Sequence, residues 1–242
     1  VGRKKLLKST NSVKRIAFFV EGRTELLFID QLVREIADES NVRIEKIAIR
    51  GGKSCPINIQ QLEAVKQDDG QNFYVLIVDC GGHDPVASRI RADYQKLVLK
   101  GYTEIIGLRD LYPLERTELA KLNSGLKKYI PSKPIQVLFV VAVMEVEAWF
   151  IAEHTHFSKI DKRITTAAIM NDFGIDVVND DASLILKPAD KIKEIYAIGK
   201  KQYGKPANNT IKKLDFDKLA LELPKKYPPL KLLADKLFEF FA

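Results

Sequence analysis

Residues 16–25 read Ile16-Ala17-Phe18-Phe19-Val20-Glu21-Gly22-Arg23-Thr24-Glu25. An unbroken run of apolar residues without alternation suits a strand covered on both faces, as in the middle of a parallel sheet. The abrupt change to Glu-Gly-Arg-Thr-Glu ends the strand and opens a helix, with Thr24 as the expected N-cap. From Glu25 to about Asp38, apolar residues at 28, 29, 32, 33, 36 and 37 keep helical spacing. An acid therefore stands where a buried strand stops and a helix starts, the opening unit of a β-α-β series.

The same unit recurs outward along the chain. Residues 42–50 alternate and read as a second strand closed by Gly51-Gly52, with a short helix expected over 57–67 and a turn at Asp68-Asp69-Gly70. Phe73 to Val78 is a third, buried strand ending at Asp79. Pro85 opens a helix to about Lys100, and Gly101 closes it. Glu104 to Leu108 is a fourth strand ending at Arg109-Asp110, residues 114–129 read as a helix, and Ile135 to Met144 is a strand running into Glu145-Val146-Glu147. This alternation predicts an α/β fold: a Rossmann-like, mostly parallel sheet with helices on both faces. Right-handed crossovers bring the strands' carboxyl ends to one edge, where such sheets bind ligands. Past residue 152 strand-like runs become rare. Residues 187–203 and 211–223 read as helices, and Pro228-Pro229 precedes an amphipathic helix over Leu230 to Phe241. The expected organisation is a basic arm (1–15), an α/β core (16–152) and a helical, basic appendage (153–242).

Composition bounds the functional classes. The chain has 242 residues, 46% hydrophobic and 29% charged, as in ordinary globular proteins. No apolar run reaches the roughly 18–20 residues of a membrane-spanning helix, and no signal-peptide core follows the basic start. Cys55 and Cys80 lack metal-ligand spacing and read as reduced thiols of a cytoplasmic protein. A net charge of +7 favours polyanionic partners. Between Lys187 and Lys226, lysines including Lys200, Lys201, Lys212 and Lys213 are interleaved with Tyr196, Tyr203 and Tyr227. That pattern reads either as a phosphate-contacting surface with stacking aromatics or as a solvated helical face.

The acids carry the chemistry. Glu21, Asp79 and Asp110 each end a strand, and Glu145 and Glu147 follow another. Taken singly, each reads equally as a helix cap or a surface ion-pair partner. Gathered at the mouth of one sheet they repel unless a cation neutralises them, and oxygen ligands suit Mg²⁺ or Mn²⁺. His154-x-His156 lacks the further ligands of a zinc site. Gly51-Gly52-Lys53-Ser54 lacks the first glycine of a P-loop, so no nucleotide-hydrolysing site is expected. Trp149 and Phe150 read as core.

Val20-Glu21-Gly22-Arg23-Thr24-Glu25 resembles the opening motif of the Toprim superfamily of topoisomerases, primases and overcoming-lysogenisation-defect nucleases. The E-G-x-x-E form, with Glu25, is similar to the last of these branches. Val78-Asp79-Cys80-Gly81-Gly82 stands where that superfamily has Asp-x-Asp, and departs from it at Gly81; Asp84 or Asp110 is then the candidate for the missing carboxylate. Met144-Glu145-Val146-Glu147-Ala148-Trp149-Phe150 resembles a Glu-x-Glu-Ala-Trp segment of small Toprim-related proteins. The resemblance covers about residues 15–155. It implies a metal set of Glu21, Glu25, Asp79, Asp110, Glu145 and Glu147, with Glu21, Asp79 and Asp110 catalytic; Arg23 or Arg109 either offsets transition-state charge or neutralises a neighbouring carboxylate. It further implies a Mg²⁺- or Mn²⁺-dependent nuclease acting on DNA or RNA, and it admits an ATPase partner in a phage-defence module; a homo-oligomer is a separate expectation for the chain. The alternative is a non-catalytic binding or scaffold subunit that kept the fold and lost the second Asp.

Overall fold

The computed structural model describes residues 13–37, 41–52, 55–64, 71–82 and 85–242. Most of the expected basic arm, the Asp68-Asp69-Gly70 turn, Lys53, Ser54, His83 and Asp84 lie outside the described residues. The strands are β1 (Lys14–Val20), β2 (Val42–Gly52), β3 (Cys55–Glu63), β4 (Phe73–Asp79), β5 (Glu104–Asp110) and β6 (Val137–Ala142). The helices are α1 (Arg23–Ile36), α2 (Pro85–Leu99), α3 (Leu119–Leu126), α4 (Glu147–Ala152), α5 (His156–Ile160), α6 (Thr166–Phe173), α7 (Pro188–Ile198), α8 (Asn208–Ile211) and α9 (Pro228–Phe241).

The strands form one sheet in the order β3-β2-β4-β1-β5-β6. All neighbouring pairs are parallel except β2–β3, which is antiparallel. The apolar run of β1 explains its central place: Ile16, Phe18 and Val20 face one side, Ala17 and Phe19 the other, and all are buried. On the first side lie α1 and the helices after β6; on the second lie α2 and α3. From β1 the chain moves toward β2 by way of α1, whereas from β4 it moves the opposite way to β5 by way of α2. Reversing direction with one crossover hand requires the helix to change face, as it does here. The place where direction reverses, around β4, β1 and β5, is where doubly wound sheets open a crevice at their carboxyl edge.

Residues 153–242 share the core of the first face. Phe28 of α1 packs against Trp149, Phe150 and Phe216 at ring-centroid distances of 5.7, 5.6 and 5.9 Å. Phe73 of β4 meets Phe240 and Phe241 of α9 at 5.6 and 5.1 Å. Trp149 and Phe150 are core residues, as expected. No helix among the described residues is long and apolar enough to cross a membrane.

Local details correct the sequence reading. The helix expected over 57–67 is strand β3 at 55–63. Ile57 and Ile59 alternate with polar residues after Pro56, a period of two that suits a strand, and β3 pairs with the edge of β2 through Ile49↔Ile59 and Ala48↔Gln60. The N-cap of α1 is Gly22; Thr24 lies inside the helix, where its Oγ1 accepts a hydrogen bond from the Ala207 N–H at 3.3 Å. The helix expected over 114–129 is a 3₁₀ turn at 116–118 followed by α3 over 119–126. The helix expected over 187–203 shortens to α7, and in place of the helix expected over 211–223 the short α8 ends at Ile211 and a π-helical turn follows at 218–222.

Candidate metal centre

Five carboxylates come from three places at the carboxyl edge. Glu21 follows β1 and Glu25 sits in the first turn of α1. Asp110 is the last residue of β5, and Glu145 and Glu147 stand at the start of α4, after β6. One carboxylate oxygen each of Asp110, Glu145 and Glu147 lies within 4.8 Å of the other two. All three side chains are buried, Glu147 completely.

Hydrogen bonds hold the group in shape while leaving oxygens over. Asp110 Oδ1 accepts from the Val146 N–H at 3.0 Å, which ties β5 to the start of α4. Glu145 Oε2 accepts from the Ala189 N–H at 2.8 Å in the first turn of α7, where the unpaired N–H groups of a helix favour an anion. Glu147 Oε1 accepts from the Tyr203 hydroxyl at 2.8 Å. Glu21 Oε1 accepts from the Asp110 N–H at 3.1 Å and lies 3.6 Å from Arg109 Nε. Glu147 Oε2 is buried and meets no hydrogen-bond donor. A buried carboxylate oxygen without a partner is costly, and this one is open to a donor or a cation.

The electrostatics show the crowding. Burial, then Glu25, raise Glu21 to about 8 against the pull of Arg109. Burial, then Glu147, raise Glu25 to about 7. Asp110 is pushed well above its ordinary value by burial and by Glu25, Glu147 and Glu21. Glu145 is raised by burial, against the Ala189 N–H. Lys205 is the lysine that reaches this group, 2.8 Å from Glu147 Oε1 and 3.8 Å from Glu145 Oε1. An all-oxygen set of clustered carboxylates fits a hard divalent cation such as Mg²⁺ or Mn²⁺.

Asp79 shares the edge but not the group. Val20 pairs with Asp79 in register, so Glu21 and Asp79 stand at the carboxyl ends of adjacent strands, at the same edge of the sheet. The Asp79 side chain is fully buried and held by Arg50, with Nη1 3.0 Å from Oδ1 and Nη2 2.6 Å from Oδ2. Oδ1 also accepts from the Gly81 N–H at 3.0 Å. This bidentate pairing neutralises the carboxylate. It also accounts for Gly81. The residue adopts φ +76°, and a Cβ there would stand 3.1 Å from the Ile49 carbonyl oxygen and 3.2 Å from Arg50 Nη1. A side chain at this position would crowd the arginine that holds Asp79. Cys80, between them, is buried and its thiol is pushed up to about 12 by burial and by Asp79, which leaves it inert.

The other sequence-predicted residues distribute as follows. Lys200, Lys201, Lys212 and Lys213 are all exposed; Lys201 lies 3.9 Å from Asp161. Lys200 and Lys201 precede Tyr203 and Lys205 on the segment that enters the acidic group. Arg109 is buried beside Glu21, and Arg23 has a buried Nη1 without a hydrogen-bond partner. His156 is buried, with Nδ1 2.7 Å from the Glu153 carbonyl oxygen, and belongs to no metal-ligand group among the described residues. Sequence reasoning did not place three contacts: Arg50 on Asp79, and Tyr203 and Lys205 on Glu147. The last two were legible only as members of the lysine- and tyrosine-bearing stretch. No protein-family model, curated protein or solved structure matches this chain.

Proposed function

We propose that this chain is a Mg²⁺- or Mn²⁺-dependent nuclease that hydrolyses phosphodiesters of DNA or RNA. The observation that carries the reading is the convergence of Asp110, Glu145 and Glu147 within 4.8 Å, with one fully buried Glu147 oxygen left without a donor. These three residues would hold the cation, with Glu21 and Glu25 beside them. A bound divalent cation supplies Lewis-acid stabilisation of phosphoryl charge and lowers the pKa of water. The chain's own residues do the rest. Glu21, raised to about 8, is poised to hold or accept a proton near neutral pH. Arg109 limits the repulsion between Glu21 and its neighbours. The exposed Lys200, Lys201, Lys212 and Lys213 are suited to contact backbone phosphates of a polynucleotide entering from the C-terminal helices.

The test is cleavage of single-stranded DNA, duplex DNA and structured RNA with and without Mn²⁺, alone and with the ATPase partner that the Toprim resemblance implies. Metal-dependent cleavage that Glu21→Gln abolishes, with folding and nucleic-acid binding intact, is the expected result. Binding without cleavage of any substrate would contradict it. A second reading, a non-catalytic binding subunit of the same fold, has its own observation: both oxygens of Asp79 are taken up by Arg50, and Gly81 carries no carboxylate beside it.

A further inference from the structure

The acidic group carries a cation of its own. Lys205 Nζ bridges Glu147 and Glu145 at 2.8 and 3.8 Å, touching two of the three clustered carboxylates. Among the described residues no other lysine or arginine pairs with Glu145 or Glu147. Lys205 reaches in from irregular chain between α7 and α8, fixed before it by the Lys201 N–H on the Tyr196 carbonyl (3.0 Å) and after it by the Ala207 N–H on Thr24. Its side chain is 44% exposed, unlike the buried acids it meets. It therefore has a path to solvent that crosses no core.

One ammonium is a poor match for this group. It carries a single charge against several carboxylates, and it leaves Glu147 Oε2 without a donor. A divalent cation brings twice the charge to the same oxygens and repels the ammonium from them. We infer that Lys205 is the resident counter-cation of the acidic group, and that a divalent cation displaces it on binding, so that this lysine sets the cation affinity of the site. The inference rests on the metal reading of the group and deepens it. The resident ammonium lets the acidic group fold without metal, and its displacement makes the Tyr203–Ala207 segment respond to metal.

The test is calorimetric titration with Mn²⁺ of the wild-type chain and of Lys205→Met, which keeps the aliphatic stem and removes the charge. The variant is expected to bind Mn²⁺ about tenfold more tightly, which is about 1.4 kcal/mol. Equal or weaker binding by the variant, with clear binding by the wild type, overturns the inference and leaves the metal site standing. Absence of Mn²⁺ binding in both overturns the metal reading and the inference with it. The wild-type chain gives an arm that needs no folded variant. Acylation of the Lys205 amine by an N-hydroxysuccinimide ester, read by peptide mass spectrometry, is expected to rise severalfold on adding Mn²⁺, against unchanged labelling of the distant, exposed Lys128. Labelling of Lys205 that stays level or falls overturns displacement.

Discussion

The two halves of the sheet's carboxyl edge treat buried acids in opposite ways. On the β2–β4 half, Asp79 is fully buried, yet Arg50 meets both of its oxygens. On the β1–β5–β6 half, Glu21, Glu25, Asp110, Glu145 and Glu147 gather around Lys205 and Arg109, and Glu21, Glu25, Asp110 and Glu145 are held toward their protonated forms. A buried charge with a bidentate partner is a structural element. Buried like charges without enough partners store repulsion, and repulsion is what a bound cation relieves. Position at a strand end thus does not by itself make an acid a ligand; the partner it finds decides.

The contrast breaks most visibly in activity. Glu147→Gln and Asp110→Asn are expected to abolish metal-dependent cleavage, whereas Asp79→Asn retains it; cleavage assays at saturating Mn²⁺ decide, and loss in all three would make Asp79 part of the site. Stability should sort the same variants in reverse. Asp79→Asn weakens a buried charge-assisted pair and should cost about 1–3 kcal/mol in denaturant unfolding, since Arg50 is half exposed and regains water. Glu147→Gln removes one of several repelling charges and should leave the metal-free protein equally or more stable. Metal itself should stabilise the wild type by about 2.7 kcal/mol at a free concentration 100 times the dissociation constant.

A pH series sharpens the comparison. Glu21 and Glu25 bind protons more tightly folded than unfolded, raised to about 8 and about 7 from the ordinary 4.5 of a glutamate. Between those limits the folded state holds more protons, so metal-free stability should fall as pH rises from about 4.5 to about 8. Saturating Mn²⁺ should flatten that slope, because the cation replaces the protons and its affinity rises with pH. A metal-free slope of the opposite sign would mean that the acids are compensated already. The smallest stability effect belongs to the surface: charge reversal at Lys200, Lys201, Lys212 and Lys213 should change folding stability by about 0.5 kcal/mol or less each. The same changes should weaken nucleic-acid binding and lower its salt dependence.

The parts written in local sequence were legible. The apolar runs of β1, β4, β5 and β6, each followed by an acid, gave the mostly parallel sheet and brought the acids to one edge. What was not legible depends on pairing between distant segments. Arg50 reaches Asp79 because β2 lies beside β4, with Ala48 opposite Asp79, and nothing near residue 50 announces that neighbour. Residues 57–67 misled because apolar positions in a short segment fit more than one period; the exposed edge strand β3 shows itself only by the alternation of Ile57 and Ile59. Tyr203 and Lys205 meet Glu147 across more than fifty residues of chain, through the packing of α7 and α8 on α1 and α4, and no motif marks them among the other lysines and tyrosines.

The central claim is that Asp110, Glu145 and Glu147 hold a divalent cation. Anomalous diffraction from crystals grown with Mn²⁺ tests it most directly. The expected result is a manganese peak bounded by oxygens of these three carboxylates, with the Asp79–Arg50 pair intact. A peak at Asp79 with Arg50 turned away, or no peak at the acidic group under saturating Mn²⁺, would contradict it.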